Sequence, residues 1–212
     1  MNLRKWFFLF WTALLIGAAG SLGTGLIMML VNGEKTNGLN DFLLYLLILF
    51  GSGVMISVYS QMGFFAYLIL NYMGKGVFPK RGWQIVQIIL TVLALLDVMF
   101  LRLFVGGDRE RISDIVLGII ILAAAIVTAY VKVRLTHISA LVPTLFFMIA
   151  VTVVETIGVL RIDVNAATIF IVVPLLLCNA YQMLILHRLV DVSTNQSING
   201  SGKAEPLKES RA

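Results

Sequence analysis

Charged residues are scarce in this sequence. They make up 13% of its 212 residues, whereas a soluble globular domain carries roughly 25%. Hydrophobic residues make up 59%, and they form runs of about 20 residues or more, the length that crosses a hydrocarbon core of roughly 30 Å. This composition excludes a water-soluble globule and predicts one integral membrane unit without a separate soluble domain.

Residues that commonly carry out chemistry are also few. The sequence has one cysteine, Cys178, and two histidines, His137 and His187, so an intramolecular disulfide and a Cys/His zinc cluster are both excluded. It has no His-Glu-x-x-His and no Gly-x-Ser-x-Gly motif, and its glycines form no phosphate-binding loop. We therefore expect no enzymatic activity, no cofactor and no metal.

Six apolar segments are predicted to cross the membrane as α-helices. The second is 31 residues long, and because an unbroken helix of that length would measure roughly 46 Å, it must tilt, bend near Gly51 and Gly53, or extend past the membrane. Pro174 predicts a kink in the sixth. The predicted spans cover residues 6–31, 42–72, 83–105, 112–131, 137–160 and 166–189, and the polar residues 190–212 predict a disordered cytoplasmic tail.

The positive charges indicate how the chain is oriented. The net charge is +5, but the basic residues are scattered through short loops, so they predict no nucleic-acid partner. Cytoplasmic flanks of membrane helices hold the excess of Lys and Arg. The side with both termini carries eleven, Arg4, Lys5, Lys75, Lys80, Arg81, Lys132, Arg134, Arg188, Lys203, Lys208 and Arg211, against five on the other. Both termini are therefore predicted to be cytoplasmic.

Two acidic residues lie inside predicted spans, where an ionisable group costs about 2.5 to 3.5 kcal/mol on insertion. These are Asp97 in the third span and Glu155 in the fifth. Neither has a basic residue at helical spacing on its own span, so a partner would have to come across a helix interface, as Arg102 of the third span could for Glu155. The pair indicates either a proton or cation path or an interhelical polar clamp.

Neutral polar residues are concentrated in the predicted cytoplasmic half. Pairs such as Gln84 with Gln87, and Asn179 with Gln182, are three residues apart and share a helix face. Such faces suit internal hydrogen bonding or docking to another membrane protein, and both interpretations stay open. The residues of this group that we single out are Ser57, Gln61, Gln84, Gln87, Asn179 and Gln182.

Small residues recur every four positions in the first span. They are Ala13, Gly17, Ser21 and Gly25. A stripe of this kind lets another helix approach closely. The neighbouring helix can belong to the same chain or to a partner protein.

Two segments of the sequence resemble a known family. They are Ser60-Gln61-Met62-Gly63-Phe64-Phe65-Ala66-Tyr67 in the second span and Pro174-Leu175-Leu176-Leu177-Cys178-Asn179-Ala180-Tyr181-Gln182 in the sixth. With its basic start, six predicted spans and short polar tail, nearly the whole chain resembles the KbaA family of KinB-signalling pathway activation proteins of spore-forming bacteria. The resemblance implies a multi-pass cell-membrane protein that activates a sensor histidine kinase in the phosphorelay that initiates sporulation.

A kinase activator needs a lateral interface and no catalytic group, so the resemblance is compatible with the residues. We expect spans one, two and six to contact the kinase through the small stripe and the amide-bearing faces, because a few kcal/mol of differential contact shifts a two-state kinase. The alternative is a small proton- or ion-coupled transporter that uses Asp97 and Glu155. A third interpretation is a structural membrane protein whose partner is unrelated to signalling, and the chain can also form a homo-oligomer.

Overall fold

The apolar segments form long helices, because a backbone inside a bilayer must satisfy its own N–H and C=O groups. A computed structural model describes residues 3–33, 38–105, 111–160 and 166–201, with side chains described in 6–33, 38–100, 115–156 and 168–186. The helices are α1 (Leu3–Asn32), α2 (Leu39–Val77), α3 (Lys80–Val105), α4 (Arg111–Leu135), α5 (Leu141–Phe146), α6 (Thr152–Leu160) and α7 (Ala166–Ser201). A 3₁₀ turn (Ile138–Ala140) precedes α5, and a π-helical turn (Phe147–Val151) joins α5 to α6.

Six helices in the described ranges are long and apolar enough to cross a membrane. The fifth crossing is composite, because it combines the 3₁₀ turn, α5, the π turn and the beginning of α6. The predicted fold class, an all-α bundle of about six membrane-spanning helices, is confirmed. Its orientation across the membrane stays a prediction.

The helices α2 and α7 exceed their predicted spans by the most residues. The helix α2 continues through Gly51 and Gly53 for 39 residues, a length of about 58 Å at 1.5 Å per residue, so it must tilt in the membrane or extend beyond it. The helix α7 continues through Pro174, which lies against Gly20 of α1, and ends at Ser201. Residues 190–201, predicted as part of a disordered tail, are therefore described as a continuation of this helix.

The helices pack in two groups that share α7. One group is α1 with α2 and α7, and the other is α3, α4 and α5, with α4 and the π turn also touching α7. The apolar core lies where the groups meet, around Phe64 of α2, Ile121 of α4, Phe147 of the π turn and Val172 of α7. This arrangement buries the inward side of α7 against both groups and leaves much of α1 and α2 facing outward.

Candidate functional site

Four polar side chains meet at the junction of α2, α6 and α7, and we call them the Asn179 cluster. They are Ser60, Thr152, Glu155 and Asn179. The Ser60 hydroxyl donates to Asn179 Oδ1 at 2.6 Å, and Asn179 Nδ2 donates to Thr152 Oγ1 at 2.9 Å and to Glu155 Oε2 at 2.8 Å. Ser60, Thr152 and Asn179 are fully buried. One amide therefore joins three helices.

A glycine makes room for the carboxyl group of this cluster. Glu155 Oε1 packs against the backbone of Gly63 in α2, in the space that a Cβ atom at position 63 would fill. This oxygen is buried and has no hydrogen-bond partner among the described residues. The π turn ends one residue before Thr152, and π turns are frequent at functional sites.

The small stripe of α1 lies against helices of the same chain. Gly17, Ser21 and Gly25 are buried. A Cβ on Gly17 would lie 2.6 Å from both the carbonyl oxygen of Gly53 and Cβ of Ser57, and Tyr45 of α2 donates to the carbonyl oxygen of Gly25 at 3.1 Å. The stripe therefore serves the close approach of α1 to α2.

The amide of Gln61 belongs to the same interface. Its Nε2 donates to the carbonyl oxygen of Phe10 in α1 at 3.4 Å and to Ser57 Oγ at 3.3 Å. The thiol of Cys178 in α7 points at the carbonyl oxygen of Ala13 at 3.8 Å. Side-chain hydrogen bonds therefore supplement the backbone packing of α1 against α2 and α7.

These contacts place most of the predicted contact residues inside the bundle. The small stripe and most of the amide-bearing side chains are buried within the chain, so they cannot reach a second protein while the bundle is intact. The interhelical alternative fits the contacts of the small stripe, Gln61 and Asn179, whereas contact with a kinase stays a prediction. The buried residues are Gly17, Ser21, Gly25, Ser57, Gln61, Gln87, Asn179 and Gln182, whereas Gln84 is half-buried.

Two of these amides are buried without a partner. Gln87 in α3 and Gln182 in α7 are both 0% exposed. Their amide nitrogen and oxygen atoms make no hydrogen bond with any described residue. Because a buried unpaired amide costs about 1 to 3 kcal/mol, these two side chains are not explained by the packing of the chain alone.

The two predicted intramembrane acids are not joined to each other. Asp97 in α3 is half-buried and makes no hydrogen bond or ion pair with another residue whose side chain is described, whereas Glu155 belongs to the Asn179 cluster. The side chain of Arg102, the proposed partner in a polar clamp, lies outside the described residues. A transport path through both carboxylates therefore has no direct support from these contacts.

Sequence reasoning missed the role of Lys132, which it used only to orient the chain. Lys132 is buried in the last turns of α4, and its Nζ donates to the carbonyl oxygens of Met183 at 2.6 Å and Leu184 at 3.4 Å. A signal was present, because Lys132 continues a helical row of buried residues through Ile121 and Ala125. A lysine at the end of such a row faces a neighbouring helix.

Comparison with known proteins agrees with the resemblance drawn from the sequence. Residues 17–189 match the model of the KbaA family, described as KinB-signalling pathway activation in sporulation. The chain belongs to the KbaA family. A relative, the KinB-signaling pathway activation protein of Bacillus subtilis (strain 168), is 30% identical over 139 residues, which cover 64% of this chain and 70% of the relative. No solved structure matches the chain.

The family match extends over most of the residues described above. It begins at Gly17 in the small stripe and includes the whole Asn179 cluster. The described residues contain no group of three or more His, Cys, Asp or Glu side chains that could hold a metal ion. The chemistry present in the described bundle is helix packing, amide hydrogen bonding and one buried carboxyl group.

Proposed function

We propose that this protein activates a KinB-like sensor histidine kinase in the phosphorelay that initiates sporulation, by contact between helices within the cell membrane. Membership of the KbaA family supports the pathway. The six apolar helices support a location in the membrane. We further propose that its role is regulatory and not enzymatic.

The surface that we propose for the kinase is the outward row of α1. This row consists of exposed residues four positions apart, and Ala19 and Gly23 lie in its middle. A Cβ on Gly23 would meet nothing within 4 Å. The whole row is Phe7, Trp11, Leu15, Ala19, Gly23, Ile27 and Val31.

The exposed pair of Ala19 and Gly23 is the observation that supports this surface. Two small residues four apart allow the backbone of another helix to approach closely inside a bilayer, where van der Waals packing drives association. The inner row of α1 already uses this geometry, because Gly17 there is covered by Gly53 of α2. The outer pair is the same motif, and no helix among the described residues covers Gly23.

The free energy required is modest. A kinase that interconverts between an inactive and an active state responds to the difference in contact free energy with the two states. A difference of about 3 kcal/mol changes the population ratio roughly 150-fold. One closely packed helix pair in a membrane is therefore sufficient, and no catalytic residue has to reach the kinase.

The test uses a Bacillus subtilis strain from which the gene of the relative has been deleted. The chain is expressed in this strain, and KinB phosphorylation and spore yield are measured together. Wild-type chain should restore both. Gly23→Leu and Ala19→Leu should lower KinB phosphorylation about tenfold or more, because the larger side chain prevents close approach, while protein abundance in the membrane stays normal.

A matched control is Ala123→Leu, which enlarges an exposed small residue of α4 on another part of the bundle. This variant should signal like wild type. Full signalling by both α1 variants would indicate that the kinase contacts another face of the bundle. Failure of the wild-type chain to restore KinB phosphorylation, at normal abundance, would contradict the proposed function itself.

A further inference from the structure

In the Asn179 cluster, only one of the two oxygens of the Glu155 carboxyl group has a hydrogen-bond partner among the described residues. Glu155 Oε2 accepts one hydrogen bond from Asn179, but the buried Oε1 receives none from the described residues. A carboxylate accepts several hydrogen bonds when it is ionised. Glu155 is half-buried, and one donor on Oε2 with none on the buried Oε1 leaves the charged form poorly stabilised at this position.

No described side chain supplies a compensating positive charge. Four segments pack against α6, namely α2, α3, α7 and the π turn. The titratable side chains described in the membrane-spanning parts of these segments, such as Tyr67, Asp97 and Cys178, carry no positive charge in any ionisation state, and the π turn has none. The side chain of Arg102 in α3 lies outside the described residues. The basic residues Lys75, Lys80 and Arg81 lie at the far end of the α2 and α3 hairpin, with Lys75 twelve residues beyond Gly63.

We propose that the Glu155 carboxyl group is a binding site for a small monovalent cation, either a proton or a sodium ion. A buried ionised carboxylate inside a membrane must be paired or neutralised. A proton does this on Oε1, and a sodium ion does it with help from neighbouring oxygens, since hard cations take oxygen ligands. The oxygens within the cluster are those of Ser60, Thr152 and the Asn179 carbonyl group.

The position of the site gives cation binding a structural consequence. The hydrogen bonds of Asn179 connect α2, α6 and α7, and Gly63 allows the carboxyl group to lie against the α2 backbone. Occupancy of the site determines whether a net charge lies between these helices. Their packing is therefore coupled to proton or sodium concentration, independently of any kinase contact.

The test is chemical labelling of the purified full-length protein in detergent micelles with dicyclohexylcarbodiimide, which modifies protonated carboxyl groups in apolar surroundings. Mass spectrometry locates and quantifies the product over a range of pH values, in sodium chloride and in potassium chloride. We expect labelling at Glu155 that decreases roughly tenfold per pH unit above its midpoint, as for a single titrating group. Glu155→Gln should abolish this product.

Comparison of labelling in sodium chloride with labelling in potassium chloride identifies the cation. Protection of Glu155 by sodium but not by potassium supports a sodium site, and Ser60→Ala should then weaken protection without removing the pH dependence. Equal labelling in both salts, with the pH dependence intact, supports a proton site. Absence of labelling at every pH, or labelling that depends on neither pH nor salt, overturns the proposal. Labelling of Asp97 in the same chain is the internal control for access of the reagent to carboxyl groups within the spans.

This proposal does not rest on the proposed activation of a kinase. The labelling experiment is done without a kinase, and the complementation experiment in Bacillus subtilis is done without carbodiimide, so each can fail independently of the other. Glu155→Gln connects them, because it removes the ionisable group while keeping an acceptor for Asn179. If this variant loses only its labelling, the cation site is separate from signalling. If it also signals constitutively or not at all, cation binding regulates activation.

Discussion

A Cβ atom on Gly17 would lie 2.6 Å from the carbonyl oxygen of Gly53, so α1 and α2 cross with their backbones in direct contact at these two glycines. The relationship is reciprocal, because a Cβ on Gly53 would lie 2.5 Å from the carbonyl oxygen of Gly17. Backbone atoms cannot move aside as a flexible side chain can. The crossing therefore depends on glycine at both positions.

Gly17→Ala should destabilise the bundle by about 1 to 3 kcal/mol, because the added methyl group separates two packed backbones. Unfolding in mixed micelles by sodium dodecyl sulfate would measure this loss. Gly23→Ala is the matched control in the same helix, since a Cβ there meets nothing within 4 Å. We expect no loss of stability in the control, and equal losses in both variants would contradict the described crossing.

Asn179→Leu should remove the hydrogen bonds of one amide to Ser60, Thr152 and Glu155. Leaving these buried groups unpaired should cost about 2 to 4 kcal/mol, measured by the same unfolding assay, and should lower the abundance of the protein in the membrane. Glu155→Gln should cost less than about 1 kcal/mol, because the new amide oxygen still accepts from Asn179. Loss of signalling by Asn179→Leu at normal abundance and stability would indicate direct contact with a partner instead.

Lys132→Met should loosen α4 from α7. The variant loses the charged hydrogen bonds to the carbonyl oxygens of Met183 and Leu184, each of a kind that contributes about 1.5 to 3 kcal/mol. Arg134→Met removes one positive charge from the same helix end, where the arginine is exposed and contacts only Tyr130 among the described side chains. A stability loss confined to Lys132→Met is expected, whereas matching losses would point to an effect of charge on insertion.

Gln182→Leu should leave stability unchanged or raise it. The glutamine amide is fully buried and has no hydrogen-bond partner among the described residues, and leucine is apolar and similar in size. Removing an unpaired buried amide relieves a cost of about 1 to 3 kcal/mol. A marked loss of stability would show that water or another molecule satisfies Gln182 in the membrane.

The predicted orientation can be tested by cysteine labelling in intact cells. In a Cys178→Ala background, Lys35→Cys should react with a membrane-impermeant maleimide, because the loop after the first span is predicted to lie outside. Lys75→Cys should react only after the cells are opened, because the basic loop after the second span is predicted to be cytoplasmic. The opposite pattern would reverse the orientation of the bundle.

The small stripe of α1 shows how far local sequence reasoning extends. The spacing of Ala13, Gly17, Ser21 and Gly25 predicts a close helix contact, because small side chains expose the backbone. It does not identify the contacting helix, since the same spacing serves any partner. The outer pair of Ala19 and Gly23 has the same pattern, and only its position opposite the buried row distinguishes it.

The Asn179 cluster and Lys132 show what depends on tertiary structure. The sequence singles out both Glu155 and Asn179, but their hydrogen bond depends on the rotation and depth of α6 relative to α7. The π turn before Thr152 contributes to that rotation by adding a residue to the turn. Lys132 makes its bonds to backbone carbonyls, which every residue has, so no side-chain pattern in α7 marks the place.

The sequence by itself determined that this protein crosses a membrane with about six helices, because apolar length and a scarcity of charge are local properties that the bilayer converts directly into helices. Family membership was also contained in the sequence. Only the tertiary structure decided which of the small and polar residues are buried in helix contacts within the bundle and which face outward. That choice depends on the rotation of each helix about its axis, which is set by the packing of all the others.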